Sequence, residues 1–514
     1  MTFKRLILFV LTLTAVFLVA WSLFGSWQKP QFQTTLELYQ TNIVLQAQAL
    51  QPEDGKDDNL QALRQAILGD NPLKNATQEY QQTRESIQTN LAKIQTQLAQ
   101  LRSPSQTTTP IIDTSKAKLE ELQQSQKQLE KLLAELDLRL GILQAKQKQT
   151  DSALKTWSDL QQRSDIDPEF GETAAVLSGL WNNPPRLLPN SQQLIQKNLE
   201  SWFSSTALIQ LYQLQQRQEA LSTVQAEVQE TATNALLKLA VIGTIPTITA
   251  LVGLILLIFL IAQSLIKGKD ALLSQNADVP WSTPWDGETI VQVFVVGFFF
   301  MGQVFVPQIL SFVPIPRSAG NVRLQAVYVL VSYLLVALGA LSVLYFSIKR
   351  FFPLPEFWFR FRLGDKWFLW GLGGYCVALP VVVVVSLINQ QLWQGQGGSN
   401  PLLQLALESQ DSVALSIFFF TAAIAAPLFE ELLFRGFLLP SLTRYIPVWG
   451  AILASALLFA VAHLSLSEIL PLMALGIVLG VVYTRSRNLL APMLIHSLWN
   501  GGTLLSLFLL GSSN

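Results

Sequence analysis

A series of apolar runs, each close to the length that crosses a lipid bilayer, constrains the fold of this 514-residue chain more than any other feature. A membrane-spanning helix needs about 20 predominantly apolar residues, and a helix satisfies its backbone hydrogen bonds within one segment. The runs cover residues 6–27, 239–266, 289–312, 325–347, 367–388, 412–434, 447–463, 469–484 and 489–510. The sequence therefore predicts an all-α, polytopic membrane protein with about eight or nine membrane helices.

The first apolar run predicts an uncleaved anchor rather than a signal peptide. It follows Lys4 and Arg5, it exceeds the usual ~7 to 15 apolar residues of a signal peptide, and no A-x-A cleavage site follows it. We therefore expect four parts: an N-terminal membrane anchor (1–29), a polar helical domain (30–235), membrane helices (236–400) and an intramembrane core (401–514).

Lysine and arginine residues in short loops predict orientation, because cytoplasmic loops carry an excess of them. If successive helices cross alternately, the cytoplasmic residues are Lys4, Arg5, Lys267, Lys269, Lys349, Arg350, Arg360, Arg362, Lys366, Arg485 and Arg487. The loop 389–411 contains no Lys or Arg and fits the outer side. The same alternation places residues 30–235 outside the cytoplasm.

Residues 30–235 are predicted to form a Gln-rich helical domain. Leucines recur every seven residues, which is coiled-coil spacing, at Leu122, Leu129, Leu136 and Leu143. The stretch 102–110 is too rich in proline for a helix and separates this pattern from an earlier one. An antiparallel helical hairpin follows from the two patterns. No residue set here is typical of catalysis, so we expect a spacer or a docking module for a protein partner.

Composition argues against a nucleic-acid partner and against two kinds of cysteine site. The formal net charge is zero at pH 7, so nothing indicates a nucleic-acid partner. The single cysteine, Cys376, allows neither an intramolecular disulfide nor a Cys-based zinc site.

The titratable residues of the apolar part are concentrated near the C-terminus. The two histidines of the chain, His463 and His496, lie downstream of the adjacent carboxylates Glu430 and Glu431. An ionisable group in a bilayer costs a few kcal/mol or more, so such groups normally serve a function. A buried ion-pair network and helix–helix hydrogen bonding are the alternatives, but neither predicts that all four residues occur in one third of the chain.

Helical spacing predicts which of these side chains meet. Glu431 and Arg435 are four residues apart and are expected to form an ion pair on one helix face. Glu430 points about 100° away and is left unpaired within this motif, where it can act as a base. His496 and Asn500 are also four apart and share a face.

Three segments together resemble the motifs of a protease family. Glu430–Gly436, Phe459–His463 and His496–Asn500 are similar to the EExxxR, FxxxH and HxxxN motifs of the CAAX protease and bacteriocin-processing family, related to type II CAAX prenyl endopeptidases. The resemblance covers roughly residues 405–505. It implies peptide-bond hydrolysis within the membrane. The implied roles are water activation by Glu430 with His463, oxyanion stabilisation by His496 and Asn500, and a supporting ion pair of Glu431 with Arg435.

The family is described both as zinc-dependent and as glutamate-dependent without metal. A catalytic zinc needs three protein ligands and an open position, which Glu430, His463 and His496 could supply, although the chain has no HExxH motif. Asn500 is a poor zinc ligand but a sound oxyanion donor. We favour a metal-free site and keep zinc as the alternative cofactor.

One geometric difficulty accompanies this interpretation. If residues 412–434 and 447–463 both cross the bilayer fully, Glu430 and His463 lie about 20 to 25 Å apart at 1.5 Å per residue. The motifs require Glu430 and His463 to lie close together. We therefore expect either a separate, partly inserted helix after Pro427 or a short second span staggered in depth.

Two functions of other classes remain as alternatives to an intramembrane endopeptidase acting on a membrane-associated protein or peptide. One is a non-catalytic immunity or scaffold protein of the same fold, and the other is a proton-coupled transporter. Inverted repeats would favour the transporter, and the sequence contains none that we recognise. The anchored insert is more typical of bacteria, including cyanobacteria, so a bacterial plasma or internal membrane is expected.

Overall fold

The computed structural model describes residues 2–27, 29, 31, 33–50, 65, 67–102, 112–163, 167–312, 321–364, 366–409 and 411–512. Within these ranges the chain is helical and contains no β-strand. The predicted all-α class is confirmed for this part of the chain.

The helices form two compact units. The membrane unit comprises Met1–Gln33 and Ile242–Ser512, and the insert unit comprises Thr34–Val241. In chain order the helices are α1 (Phe3–Ser26), α2 (Gln33–Gln48), α3 (Pro72–Arg102), α4 (Ile112–Lys146), α5 (Thr150–Gln161), α6 (Pro168–Trp181), α7 (Ser191–Asn198), α8 (Ser201–Leu214), α9 (Gln218–Lys267), α10 (Gly287–Ser311), α11 (Val322–Ile348), α12 (Trp367–Trp393), α13 (Pro401–Glu408), α14 (Ser412–Leu442), α15 (Val448–Val461), α16 (Ile469–Ser486) and α17 (Leu490–Gly511).

The insert unit contains the predicted hairpin of α3 and α4. Arg84 of α3 donates to Asp137 of α4, and Gln147, just after α4, donates to the Leu73 carbonyl at 3.1 Å. Early residues of α3 therefore lie beside late residues of α4, so the two helices are antiparallel. The leucines of the seven-residue repeat lie in the core or pack against it. The Pro-rich stretch 103–110 lies outside the described residues.

In the part of the chain that the structure describes, eight helices are long and apolar enough to cross a membrane, namely α1, α9, α10, α11, α12, α14, α16 and α17. Their number agrees with the predicted eight or nine. The protein is therefore an integral, polytopic membrane protein.

The predicted end of the span 412–434 was wrong. Helix α14 does not end at residue 434 but continues to Leu442, over 31 residues. Its charged residues Glu431 and Arg435 are paired inside the protein, so the helix runs on through them. Helix α15 has only 14 residues, about 21 Å at 1.5 Å per residue, which is too short to cross a ~30 Å hydrocarbon core.

Basic residues predicted to face the cytoplasm gather at one end of the membrane unit. Lys4 and Arg5 both pair with Glu288, at 2.8 and 3.0 Å. Hydrogen bonds also join neighbouring loops: Arg485 to the Leu273 carbonyl, Arg487 to the Val279 carbonyl, and the Leu489 amide to the Arg360 carbonyl. Burial lowers the pKa of Arg487 to about 10, so it stays cationic at neutral pH. The grouping fits alternate crossings, while the side on which this end lies stays a prediction.

Candidate active site

The predicted ion pair of Glu431 and Arg435 lies at the centre of the candidate site. Arg435 Nη1 is 2.8 Å from Glu431 Oε1, and both side chains are fully buried. Arg435 also donates from Nη2 to the Gly476 carbonyl at 3.3 Å, and its guanidinium lies 4.5 Å from the ring centre of Phe459. The pair is thus held by α14, α15 and α16 together.

A glycine on α16 makes this close approach possible. A Cβ at Gly476 would lie 2.9 Å from the Ala456 Cβ and 3.3 Å from Arg435 Nη2. Any larger residue would push α16 away from α15 and from the guanidinium. The sequence run of apolar residues around Gly476 gave no indication of this role.

His496 connects the ion pair to the second carboxylate. Its Nδ1 lies 2.9 Å from Glu431 Oε1, and its Nε2 lies 3.9 Å from Glu430 Oε2. A carboxylate can only accept, so Nδ1 carries the proton in that hydrogen bond. The hydrogen bond to Glu431 thus determines the tautomer of His496, and Nε2 is directed towards Glu430.

His463 reaches the site through Phe459. The Phe459 carbonyl accepts from His463 Nδ1 at 2.9 Å, so Nε2 has the lone pair in the neutral ring. The Phe459 ring is 5.1 Å from the His463 ring and 5.6 Å from the His496 ring, both edge-on. Both imidazoles therefore pack against one phenyl ring.

The lengths of α14 and α15 differ from the full crossing that separated Glu430 from His463. Glu430 lies well inside α14 rather than at its end, and His463 follows the short α15. Ser455 of α15 donates to the Phe434 carbonyl of α14 at 3.2 Å, which fixes their relative depth. The second span is short, as one of the two expectations required, and α14 continues through Pro427 without a separate helix. Close approach of Glu430 and His463 stays a prediction.

Glu430 is not unpaired in the folded protein. The hydroxyl of Tyr333 on α11 donates to Glu430 Oε1 at 2.9 Å. The Glu430 side chain retains 16% of its exposure, whereas Glu431 retains none. The sequence could not indicate Tyr333, because it lies in another apolar helix, 97 residues earlier, with no spacing relation to the motifs.

Asn500 uses part of its carboxamide to hold two helices together. Its Nδ2 donates to the Ala422 carbonyl at 2.8 Å, within a π-helical segment of α14, Thr421–Ala425. Such segments shift the backbone hydrogen-bond pattern and often occur at functional sites. The carboxamide has a second amide hydrogen, and this is the one that an oxyanion role would require.

The zinc alternative was tested on the donor set. Among the described residues, no three His, Cys, Asp or Glu side chains are grouped so that they could hold a metal ion. Glu431 Oε1 is already shared between Arg435 and His496. The donors as placed do not fit a three-ligand zinc site, and no step is derived through a metal.

Comparison with known proteins identifies this part of the chain. A family model described as "Type II CAAX prenyl endopeptidase Rce1-like" matches residues 412–502, which contain all six candidate residues. Residues 412–502, called the Rce1-like domain below, are similar to this family. The predicted resemblance is thus confirmed, and it covers α14 to most of α17.

The Rce1-like domain has curated bacterial relatives. The chain is 29% identical over 138 residues to the membrane-embedded CAAX protease MroQ of Staphylococcus aureus (strain USA300), covering 26% of this chain and 55% of that protein. It is 26% identical over 132 residues to the candidate membrane peptidase YdiL of Bacillus subtilis (strain 168), covering 26% of this chain and 53% of that protein. The chain spans about half the length of these relatives, and no solved structure matches it.

An apolar cavity lies beside the Rce1-like domain within the membrane unit. It has a volume of about 780 Å³ and is lined by side chains of α1, α10, α11, α14 and the end of α15. Tyr333 is one of the lining residues, with Phe434 and Leu464. The cavity therefore reaches the residue that hydrogen-bonds Glu430.

Proposed function

We propose that this protein is an intramembrane endopeptidase that hydrolyses a peptide bond with water activated by Glu430. The observation that carries the proposal is the pair of carboxylates around His496, in which one is fixed by Arg435 and the other keeps an oxygen exposed to the site. Two adjacent carboxylates in different environments can take different roles. The Rce1-like domain supports the same reaction class.

Glu430 is the proposed general base. Its carboxylate accepts a proton from water while the water oxygen bonds to the scissile carbonyl carbon, and the carbonyl π electrons move onto oxygen. His463 Nε2, which can accept a hydrogen bond, is proposed to orient the same water. The C–N bond then breaks, and the proton on Glu430 passes to the leaving amine nitrogen.

His496 and Asn500 are the proposed oxyanion donors. Because His496 Nδ1 already donates to Glu431, donation from Nε2 requires the imidazolium form. Asn500 contributes its second amide hydrogen, and a fixed donor of this kind lowers the barrier by about 2.7 to 4 kcal/mol.

The reaction is proposed to need no metal. The support for this is that Glu431 is committed to Arg435 and His496, so Glu430 remains as the carboxylate available to water. Binding of a membrane-associated protein or peptide, in contact with the lipid bilayer, is proposed on the same grounds. Thr34–Val241 is proposed to dock a protein partner or substrate, because a helical hairpin with a polar surface offers a large contact area.

Substrate trapping tests the proposal. A Glu430→Gln variant carrying a photo-crosslinking residue at Ser332, which lines the cavity, should capture a membrane protein that wild-type protein cleaves. Digestion of the captured protein by wild-type but not by the variant would support proteolysis. Capture of a protein that wild-type never cleaves would favour the scaffold function instead.

A further inference from the structure

Tyr333 lies outside the Rce1-like segment yet contacts its candidate base. The residue belongs to α11, and its hydroxyl donates to Glu430 Oε1 at 2.9 Å. Its ring packs edge-on against Phe429 with centres 5.9 Å apart, which fixes the direction of the hydroxyl. A residue on a separate helix is thus oriented towards the carboxylate that the proposed mechanism uses.

We infer that Tyr333 is a positioning residue that selects the reactive oxygen of Glu430 and stabilises its carboxylate form. This inference rests on the proposed function. The phenol occupies Oε1, so Oε2, which faces His496 Nε2 at 3.9 Å, is the oxygen that takes the proton from water. A hydrogen bond to an ionised acceptor is short and roughly twice as strong as one between neutral groups.

The other groups near Glu430 do not duplicate this bond. Arg435 is directed to Glu431 and the Gly476 carbonyl, and His496 Nε2 lies beyond hydrogen-bond distance at 3.9 Å. Tyr333 is therefore the donor seen on Glu430 among the described residues. Its loss removes one stabilising contact to the charged form.

Tyr333 also joins the site to the apolar cavity. Its side chain lines the cavity of about 780 Å³ together with Tyr328, Ser332 and Val336 of the same helix. A peptide that enters from the cavity meets the phenol next to Glu430.

The sign of a pH shift separates this role from simple packing. Without the donated hydrogen bond, the carboxylate of Glu430 holds a proton more strongly, because hydrogen bonding to the charged form favours that form. The acid limb of the kcat/KM profile should then move to higher pH. If Tyr333 only filled space, its substitution would change the size of kcat/KM and leave the pH of the acid limb unchanged.

The experiment measures kcat/KM against pH for full-length protein in proteoliposomes, using a peptide cleaved by wild-type. Tyr333→Phe should move the acid limb to higher pH by about half a unit or more. Site-specific 3-fluorotyrosine at position 333, a more acidic and stronger donor, should move it to lower pH. Tyr328→Phe, on the same helix and cavity wall, should leave it unchanged.

Infrared difference spectra provide a second measurement that needs no turnover. The carboxyl signal of Glu430, assigned by its loss in Glu430→Gln, should titrate at higher pH in Tyr333→Phe. Unchanged limbs and an unchanged infrared titration in both Tyr333 variants would overturn the inference. That outcome would leave the proposed function unaffected. The proposed function fails separately if Glu430→Gln retains wild-type turnover.

Discussion

Glu431 Oε1 accepts from His496 Nδ1 at 2.9 Å while pairing with Arg435 at 2.8 Å, so one buried carboxylate oxygen orients both the imidazole and the guanidinium of the site. This sharing explains why two adjacent glutamates are present. Glu431 holds the site together, and Glu430 remains for chemistry. Second partners of this kind fix the tautomer and direction of an active histidine.

Glu431→Gln should destabilise the protein strongly. Arg435 would keep a buried charge without its partner, and breaking a buried pair in this way costs about 3 to 5 kcal/mol. Thermal unfolding in detergent measures the effect. The matched control is Glu430→Gln, the same chemical change one residue away, which should unfold close to wild-type. Equal melting temperatures for the two variants would show that the ion pair does not support the fold.

The purified protein should contain no stoichiometric zinc and should keep its activity after chelation. The reason is that, among the described residues, no three His, Cys, Asp or Glu side chains are grouped so that they could hold a metal ion. Elemental analysis before and after chelation gives the measurement. One tightly held zinc per chain, with activity lost on its removal and regained on its return, would replace the metal-free mechanism.

Cysteine labelling should place the insert unit outside the cytoplasm. In a Cys376→Ser background, Lys127→Cys should react with an impermeant maleimide in intact spheroplasts, because its side chain is exposed. Arg362→Cys, also exposed, should react only after the membrane is opened. The reverse labelling pattern would invert the predicted orientation of every helix.

The insert unit should lose stability as pH rises through the acidic range. Burial and the neighbouring Glu37 raise the pKa of Glu79, so the folded state binds this proton more tightly than the unfolded state. The resulting stabilisation is complete below the ordinary glutamate pKa of about 4.3 and is lost as pH rises through the raised folded value. Hydrogen exchange of α2 and α3 at several pH values measures it. Glu79→Gln should reduce the slope, and a slope equal to that of wild-type would exclude Glu79 as a cause.

The sequence was sufficient to predict those contacts that a local pattern determines. The seven-residue leucine repeat predicted the α3–α4 hairpin, and the four-residue spacing of Glu431 and Arg435 predicted their ion pair. Both are properties of one or two helices. The apolar runs likewise predicted the membrane class, because a bilayer leaves few other structures for such segments.

Features that depend on several helices were beyond sequence reasoning. The apolar run of α14 was predicted to end near residue 434, although burial of the Glu431–Arg435 pair lets the helix continue to Leu442. Tyr333 carries no motif, and its role arises only when α11 packs beside α14. The bond from Asn500 to Ala422 depends on a π-helical segment that no spacing rule indicates.

Hydrolysis by wild-type and Glu430→Gln protein, reconstituted side by side in liposomes with the captured substrate in H₂¹⁸O, tests the central claim most directly. Wild-type should cleave one peptide bond and place a single solvent oxygen in the new carboxylate. The variant should fold normally, bind the substrate and lose at least about 10²-fold in kcat, since general-base catalysis contributes 10² to 10⁴-fold. Wild-type turnover by Glu430→Gln, with the same oxygen incorporation, would contradict the account.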